Sequence, residues 1–311
     1  MCDAGSSASS PVDGFDVCYT RGCLAAYCTR LYQATSHAIS VGHIGIVMLA
    51  SILFRTALAL CCLSCLVASV GPKPPWDLSH PIAPVGKLGV QLDRSLALNS
   101  GKGKPKAESD QDTRNVVLST HLVFQSSVSS ITDSQLMELA TEAHGEMQKA
   151  LSQYGFSNKY KPTAMTVLAV GNDLYFSSSE KGPTPFTCYE PKSLVTQQLD
   201  MCKILASPTG EDHMAEYSCG EIMSAFMYDR LRNGRALAGQ DARVLTVARN
   251  GGAFVVRPPC SDAAPNKWGC KLFVQEHGLR AIDDVALKRS PYGPLASLAG
   301  GHVRTDQIQL C

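Results

Sequence analysis

The distribution of apolar residues divides the chain into an apolar stretch, a linker and a region expected to fold. Residues 38–70 form the most apolar stretch, and Arg55 interrupts it near the middle. Residues 70–115 are rich in Pro, Gly, Ser and Lys and show no sustained periodicity, which is typical of a linker that does not pack. From residue 116 onward, short apolar segments recur with the spacing of helices and strands. The pattern predicts one folded domain over 116–311, preceded by a linker or disordered lead.

Two helices and a hairpin are the strongest local signals in the folded region. Apolar residues at three- and four-residue spacing predict helices over 132–154 and 218–231. Strands over 163–170 and 174–179 flank a tight turn and form the clearest hairpin. Weaker patterns predict strands over 116–124, 243–248, 253–256 and 279–282 and helices over 192–205 and 272–277. The order predicts an α/β fold, a three-layer α/β/α sheet with an antiparallel opening hairpin and a parallel remainder.

Residues 48–69 have the organisation of a signal peptide. Arg55 supplies a positive charge, a short apolar segment follows it, and small residues stand where a signal peptidase could cut. Residues 1–47 would then be an upstream extension. A single clean transmembrane helix is disfavoured, because an arginine at the bilayer centre costs about 2.5–3.5 kcal/mol. The alternatives are a signal anchor and a buried helix, so the chain is expected to be secreted, or membrane-anchored if residues 38–70 are retained.

The charge balance argues against binding of an extended polynucleotide along its backbone. The chain has 28 Lys+Arg and 27 Asp+Glu, a formal net charge of +1, and no block of like charges. Non-specific binding to a nucleic-acid backbone depends on such charge. The expected substrate is therefore a small molecule or a single base, with no extended nucleic-acid surface. A local basic rim remains open, formed by Arg230, Arg232, Arg235 and Arg257.

Cysteines are frequent and unevenly placed. Of 13, seven lie before residue 70, and the remaining six are Cys188, Cys202, Cys219, Cys260, Cys270 and Cys311. An oxidising compartment permits disulfides, so the pairs Cys188–Cys202 and Cys260–Cys270 are both candidates for a bridge.

Three of these cysteines stand at positions that suit a metal site. Cys219-Gly220-Glu221 opens the helix over 218–231, Cys260 follows the strand over 253–256, and Cys270 precedes the next helix. Helix amino termini at the ends of neighbouring strands converge in such sheets. Three thiolates could therefore face one point, with Glu221 two residues beyond the first.

This arrangement resembles the cytidine deaminase-like superfamily, in particular its toxin-type and secreted branch, which pairs Cys-x-Glu with Pro-Cys-x-x-Cys. The resemblance covers residues 132–285, about half of the chain, and nine residues separate Cys260 from Cys270 where the family has two. It implies Zn²⁺ held by Cys219, Cys260 and Cys270, with a fourth position for water. It also implies that Glu221 shuttles a proton to leaving ammonia, in hydrolytic deamination of a nucleoside, nucleotide or exposed base.

The same residues allow other interpretations. Ser218 and Glu221 have the spacing of a capping box, which alone would explain the glutamate. A disulfide between Cys260 and Cys270 would instead indicate a non-catalytic secreted protein on the same scaffold. A membrane-tethered interaction domain is a third class, and it depends on retention of residues 38–70.

Two further motifs are assigned no chemistry. His144-Gly145-Glu146 has the family's alternative His-x-Glu spacing, but it lies inside the first long helix and is predicted to be a solvated helix face. His213 and Glu216 precede Cys219 and are predicted to be loop positions without chemistry.

Overall fold

The computed structural model describes residues 77–99, 114–183, 185, 187, 190–206, 213–261 and 267–310. The predicted upstream extension and the signal peptide or anchor lie outside these residues. Within the part that is described, no helix is long and apolar enough to cross a membrane.

The described residues form five helices and eight strands. They are β1 (Gln91–Leu92), α1 (Arg94–Asn99), β2 (Leu118–Phe124), α2 (Asp133–Gln153), β3 (Ala164–Val170), β4 (Asp173–Ser178), α3 (Leu194–Ala206), α4 (Gly220–Arg232), β5 (Arg243–Asn250), β6 (Ala253–Arg257), α5 (Cys270–Glu276), β7 (Arg280–Ala281) and β8 (His302–Asp306). Short 3-10 turns occupy Val128–Ser130, Asn158–Tyr160 and Leu295–Ser297. The predicted α/β class is confirmed.

The strands form a mixed, mostly antiparallel sheet in the order β1-β2-β4-β3-β5-β6, with β8 also paired to β2 and β7 to β5. The predicted β3–β4 hairpin is confirmed. The predicted parallel remainder is wrong: β5 is antiparallel to both β3 and β6, and only the two-residue pairing of β5 with β7 is parallel. Because only Gly251 and Gly252 connect β5 to β6, the chain must reverse direction there, and Gly251 adopts a positive φ of 61°.

Local sequence accounts well for α2. Thr132 Oγ1 accepts a hydrogen bond from the Gln135 amide at 3.2 Å, and Gln135 Oε1 accepts one from the Thr132 amide at 3.0 Å. This reciprocal capping box fixes the start of the helix. The helix predicted over 132–154 is confirmed.

Helices cover both faces of the sheet. Along β3, Val167 and Ala169 pack in the apolar cluster that contains α2, while Leu168 and Val170 pack in the cluster that contains α4. This alternation follows from the two-residue period of a strand. The helices α3 and α5 contribute to the same cluster as α4. The candidate site lies on this second face.

Part of the predicted linker is folded. Leu88, Val90 and Leu96 are fully buried, and β1 pairs with β2. The prediction of an unpacked lead is therefore wrong for residues 88–98. These residues lack periodicity because their burial depends on pairing with β2 and on contacts with α2, both distant in sequence. Residues 100–113 of the predicted linker lie outside the described chain.

Candidate metal centre

Three cysteines and a histidine form one compact cluster. The ligand atoms of His213, Cys219, Cys260 and Cys270 all lie within 4.8 Å of one another. The sulfurs of Cys219 and Cys260 are 3.7 Å apart, and His213 Nε2 lies 3.3 Å from Cys270 Sγ and 3.9 Å from Cys260 Sγ. Tetrahedral zinc with Zn–S bonds of about 2.3 Å separates its ligand atoms by roughly 3.5–4 Å. The cluster could therefore hold a metal ion, and its donors suit zinc.

The structure contradicts the disulfide alternative. Cys219, Cys260 and Cys270 are all free thiols. Cys202 is a buried free thiol as well, so it is not bridged to Cys188, which itself lies outside the described residues.

The three cysteines lie near the ends of helices and strands, and close backbone contacts bring these ends together. Cys219 is the residue before α4, Cys260 follows β6, and Cys270 opens α5. The Cys270 amide donates to Cys260 Sγ at 3.1 Å. A Cβ added to Gly269 would lie 2.2 Å from the Cys260 carbonyl oxygen, so only glycine allows this approach. The long spacing between Cys260 and Cys270 therefore does not separate their side chains.

His213 is the member of the cluster that sequence reasoning missed. The Met214 amide donates to the Trp268 carbonyl at 2.8 Å, which ties this loop to the segment before Cys270. The His213 ring stacks on Tyr217 with centroids 5.2 Å apart and meets the edge of Trp268 at 4.8 Å. The signal that could have found it is its position six residues before Cys219, in the segment that leads into the metal-site helix.

The hydrogen bonds of His213 define its neutral tautomer. Its Nδ1 accepts from the backbone amides of Ala215 at 3.1 Å and Tyr217 at 3.2 Å. An Nδ1 that accepts hydrogen bonds carries no proton, so the proton of the neutral ring resides on Nε2. That proton points toward the sulfurs of Cys270 and Cys260.

Glu221 is a buried carboxylate on the first turn of α4. Its Oε1 accepts from Thr246 Oγ1 at 2.8 Å, and Thr246 Oγ1 lies 2.6 Å from Thr166 Oγ1 on the adjacent strand. Burial raises the pKa of Glu221, which favours the protonated form. A carboxyl held in this way is ready to give or take a proton.

The capping-box interpretation of Glu221 is wrong. The residue before α4 is Cys219, and no side chain caps the helix there. Ser218 Oγ donates instead to the Glu216 carbonyl at 3.3 Å. Glu221 therefore does not take part in a capping box.

Gly220 allows α4 to lie against the sheet. A Cβ at this position would stand 2.2 Å from Thr166 Oγ1 and 3.3 Å from the Ser177 carbonyl oxygen. The contact places Glu221 beside the strand hydroxyl of Thr246, while Cys219, on the other side of the glycine, joins the cysteine cluster.

The three thiols differ in their acidity. Hydrogen bonds from Cys219 and Cys270 lower the pKa of Cys260. The hydrogen bond with Cys260 raises the pKa of Cys219, and burial raises the pKa of Cys270. These shifts favour ionisation of Cys260 before that of Cys219 and Cys270. Because thiolates are the metal-binding form, a metal that binds all three sulfurs would release protons from the thiols with a raised pKa.

The prediction that His144-Gly145-Glu146 is a solvated helix face is wrong. His144 and Glu146 are both buried. His144 Nε2 lies 3.1 Å from the Thr163 carbonyl oxygen, and the two Glu146 oxygens accept from the Leu88 amide at 2.9 Å and the Val90 amide at 3.1 Å. The motif anchors the chain that precedes β1.

The chain matched no family model, and neither a curated protein nor a solved structure proved similar to it. What the site does must therefore be inferred from its own residues and geometry.

Proposed function

We propose that this protein is a zinc-dependent hydrolytic deaminase that acts on a nucleobase-containing substrate. The observation that carries the proposal is Glu221, a buried carboxyl beside three convergent thiols that neither caps its helix nor pairs with a cation. A buried carboxylate with a raised pKa at a potential metal site is the expected property of a general acid and base.

The hydrogen bonds of His213 support a site with three protein ligands. Because Nδ1 accepts two backbone amides, Nε2 carries the proton and donates to sulfur. Metal binding through Nε2 would move the ring proton to Nδ1 and break both backbone hydrogen bonds, so Cys219, Cys260 and Cys270 would be the ligands. Catalytic zinc sites typically have three protein ligands and one free position. A zinc ion there supplies a Lewis acid that activates water for attack on the ring carbon bearing the amino group.

The chain's own residues would manage the proton. Hydrolytic deamination adds water across a C=N bond and releases ammonia, so one proton of the water goes to the ring nitrogen and the other must move to the leaving nitrogen. Thr246 fixes Oε1 of Glu221 and leaves Oε2 to carry that proton. His213, locked between Tyr217 and Trp268, would stabilise thiolate charge through its Nε2–H.

The test measures zinc and ammonia in the same preparation of the full chain. We expect about one zinc per chain, and ammonia release from at least one member of a panel of nucleosides, nucleotides and oligonucleotides carrying amino-substituted bases. The Glu221→Ala variant should retain zinc and lose ammonia release, whereas Glu138→Ala should keep both, because Glu138 is a half-buried carboxylate of α2 that pairs with Arg289 away from the cluster. A wild-type protein without zinc, or a Glu221→Ala variant with unchanged activity, would contradict the proposal.

A structural zinc site is the second candidate, because His213 Nε2 lies within 3.9 Å of two of the sulfurs. If Nε2 binds the metal, the site has four protein ligands and is closed. The His213→Ala variant separates the two candidates. Three-cysteine ligation predicts that zinc remains bound with affinity lowered by about 10–100-fold, as for loss of a group that supports a ligand. Loss of stoichiometric zinc would favour the closed structural site.

A further inference from the structure

A basic cleft lies at the end of the sheet where β3 begins and β5 ends. It has a volume of about 690 Å³, and Ala164 and Ala248 form part of its wall. Lys161, Arg249 and Arg257 also line it, and its lining residues include no aspartate or glutamate. A volume of this size is in the usual range for sites that bind small molecules.

The cations of this cleft are not neutralised by neighbours. Elsewhere on the surface, Arg232 pairs with Asp173, and Arg230 lies 3.7 Å from Glu190. Within the residues that the structure describes, no carboxylate forms an ion pair with Lys161, Arg249 or Arg257. Of the predicted basic rim, Arg257 is thus the member that lines a cleft.

One of the three cations is held in place. The Arg249 guanidinium lies over the Phe254 ring, 5.1 Å from its centroid. Phe254 in turn meets the edge of His144, with centroids 5.0 Å apart. A stacked guanidinium loses less conformational freedom when it binds an anion than a mobile one does.

Strand register connects the cleft to the candidate metal centre. Ala164 pairs with Ala248, and two residues along the same strands Thr166 pairs with Thr246. Side chains two residues apart share a face of a strand and are about 7 Å apart. Thr246 holds Glu221 and is also the register partner of Arg257. On the face of Thr166 and Thr246, the cleft is therefore next to the residues that hold the proposed proton shuttle. His144 and Gln148 of α2 line it from the other face, so residues of both faces contribute to this cleft at the end of the sheet.

We propose that this cleft binds the phosphate group of a free mononucleotide, so that the substrate is a nucleotide rather than an uncharged nucleoside. The inference rests on the proposed function for the identity of the base and on the cleft for the phosphate. Arginine forms two parallel hydrogen bonds to phosphate oxygens, and lysine adds a point charge. The limited volume, together with a net charge of only +1, favours one nucleotide over a polymer.

Calorimetric titration of the full chain tests the inference directly. The ligands are cytidine, adenosine, their 5′-monophosphates, inorganic phosphate and a short single-stranded oligonucleotide. We expect at least one monophosphate to bind roughly tenfold or more tightly than its nucleoside. Arg249→Gln and Arg257→Gln should each remove most of this preference. Lys288→Gln, which removes one exposed charge outside the cleft, should leave it unchanged.

Several outcomes would overturn the inference. Equal binding of nucleoside and monophosphate would do so, as would an equal loss of preference in Lys288→Gln. Tighter binding of the oligonucleotide than of any monophosphate would indicate a nucleic-acid substrate instead. If an arginine variant unfolds, Lys161→Gln provides the same test, because Lys161 lines the cleft from the segment before β3.

The design separates this inference from the proposed function. Binding is measured without turnover, and the titrations are repeated with Glu221→Ala. A phosphate preference in a protein that never releases ammonia would refute the deaminase and leave the cleft as a phosphate site. Ammonia release that arginine substitutions do not affect would refute the cleft and leave the deaminase.

Discussion

Two motifs with identical spacing, His144-Gly145-Glu146 and Cys219-Gly220-Glu221, lie on opposite faces of the sheet. Both glutamates are buried, and burial raises the pKa of each. Their partners differ. Glu146 uses both oxygens to accept backbone amides, whereas Glu221 accepts from one hydroxyl and lies beside thiols. Burial alone therefore does not distinguish an anchoring carboxylate from one available for chemistry. The two are distinguished by the number and kind of their hydrogen-bond partners.

The glycines between these residues show the same contrast. A Cβ at Gly145 would meet nothing within 4 Å, whereas one at Gly220 would collide with Thr166. On α2, the central glycine of the motif therefore packs against no other part of the described structure. On α4 the backbone itself approaches the sheet, which brings Glu221 to the hydroxyl of Thr246.

The largest expected difference is in activity. Glu221→Gln should lower ammonia release by about 10²–10⁴-fold with zinc retained, because the amide cannot shuttle a proton. Glu146→Gln should leave activity per folded molecule unchanged and lower the free energy of unfolding by about 1–3 kcal/mol, since one backbone amide then faces an NH₂ group. Turnover assays and urea denaturation check both. Reversed effects would mean that the roles assigned to the two carboxyls are exchanged.

Zinc binding should depend steeply on pH. Cys219 and Cys270 both have a raised pKa, so both are protonated near neutrality, and zinc must displace two protons. Affinity should therefore fall as pH falls, by up to about 100-fold per unit between about pH 8 and pH 6. Competition with a chelator at several pH values measures it. An affinity independent of pH would show that the thiols are already ionised before zinc arrives.

The smallest expected effects come from the two glycines, and they have opposite signs. Gly145→Ala should raise the free energy of unfolding by about 0.5–1 kcal/mol, because alanine is the better helix former and the space is empty. Gly220→Ala should lower it by about 1–3 kcal/mol, because the added methyl group forces α4 away from Thr166. Denaturation curves of the two variants and the wild type, measured under the same conditions, give the sign of each change in the free energy of unfolding. Equal signs would contradict the close contact of α4 with the sheet.

Local signals explain where sequence reasoning was accurate. The boundaries of α2 follow from its periodicity and its capping box, and both lie within a few residues of each other in sequence. The β3–β4 hairpin depends on a short turn in the same way. The order of Cys219, Cys260 and Cys270 relative to helices and strands was sufficient to predict that they converge.

The errors share a different origin. His213 reaches the cluster because Glu216 and Tyr217 adopt positive φ values of 49° and 62° and turn the loop back, which no periodic pattern reveals. Leu88 and Val90 are buried because their amides meet Glu146, 58 and 56 residues away. The direction of β5 depended on its pairing with β3, which is non-local.

The sequence by itself determined the α/β class, the main helices, the opening hairpin and the three cysteines of the cluster, because each depends on spacing within a short segment or on the order of such segments. Only the tertiary structure decided that His213 joins them, that the thiols are free and that Glu146 is buried against the chain before β1. These properties depend on which distant groups share a buried space, and in that space the partners of each polar atom decide its chemistry.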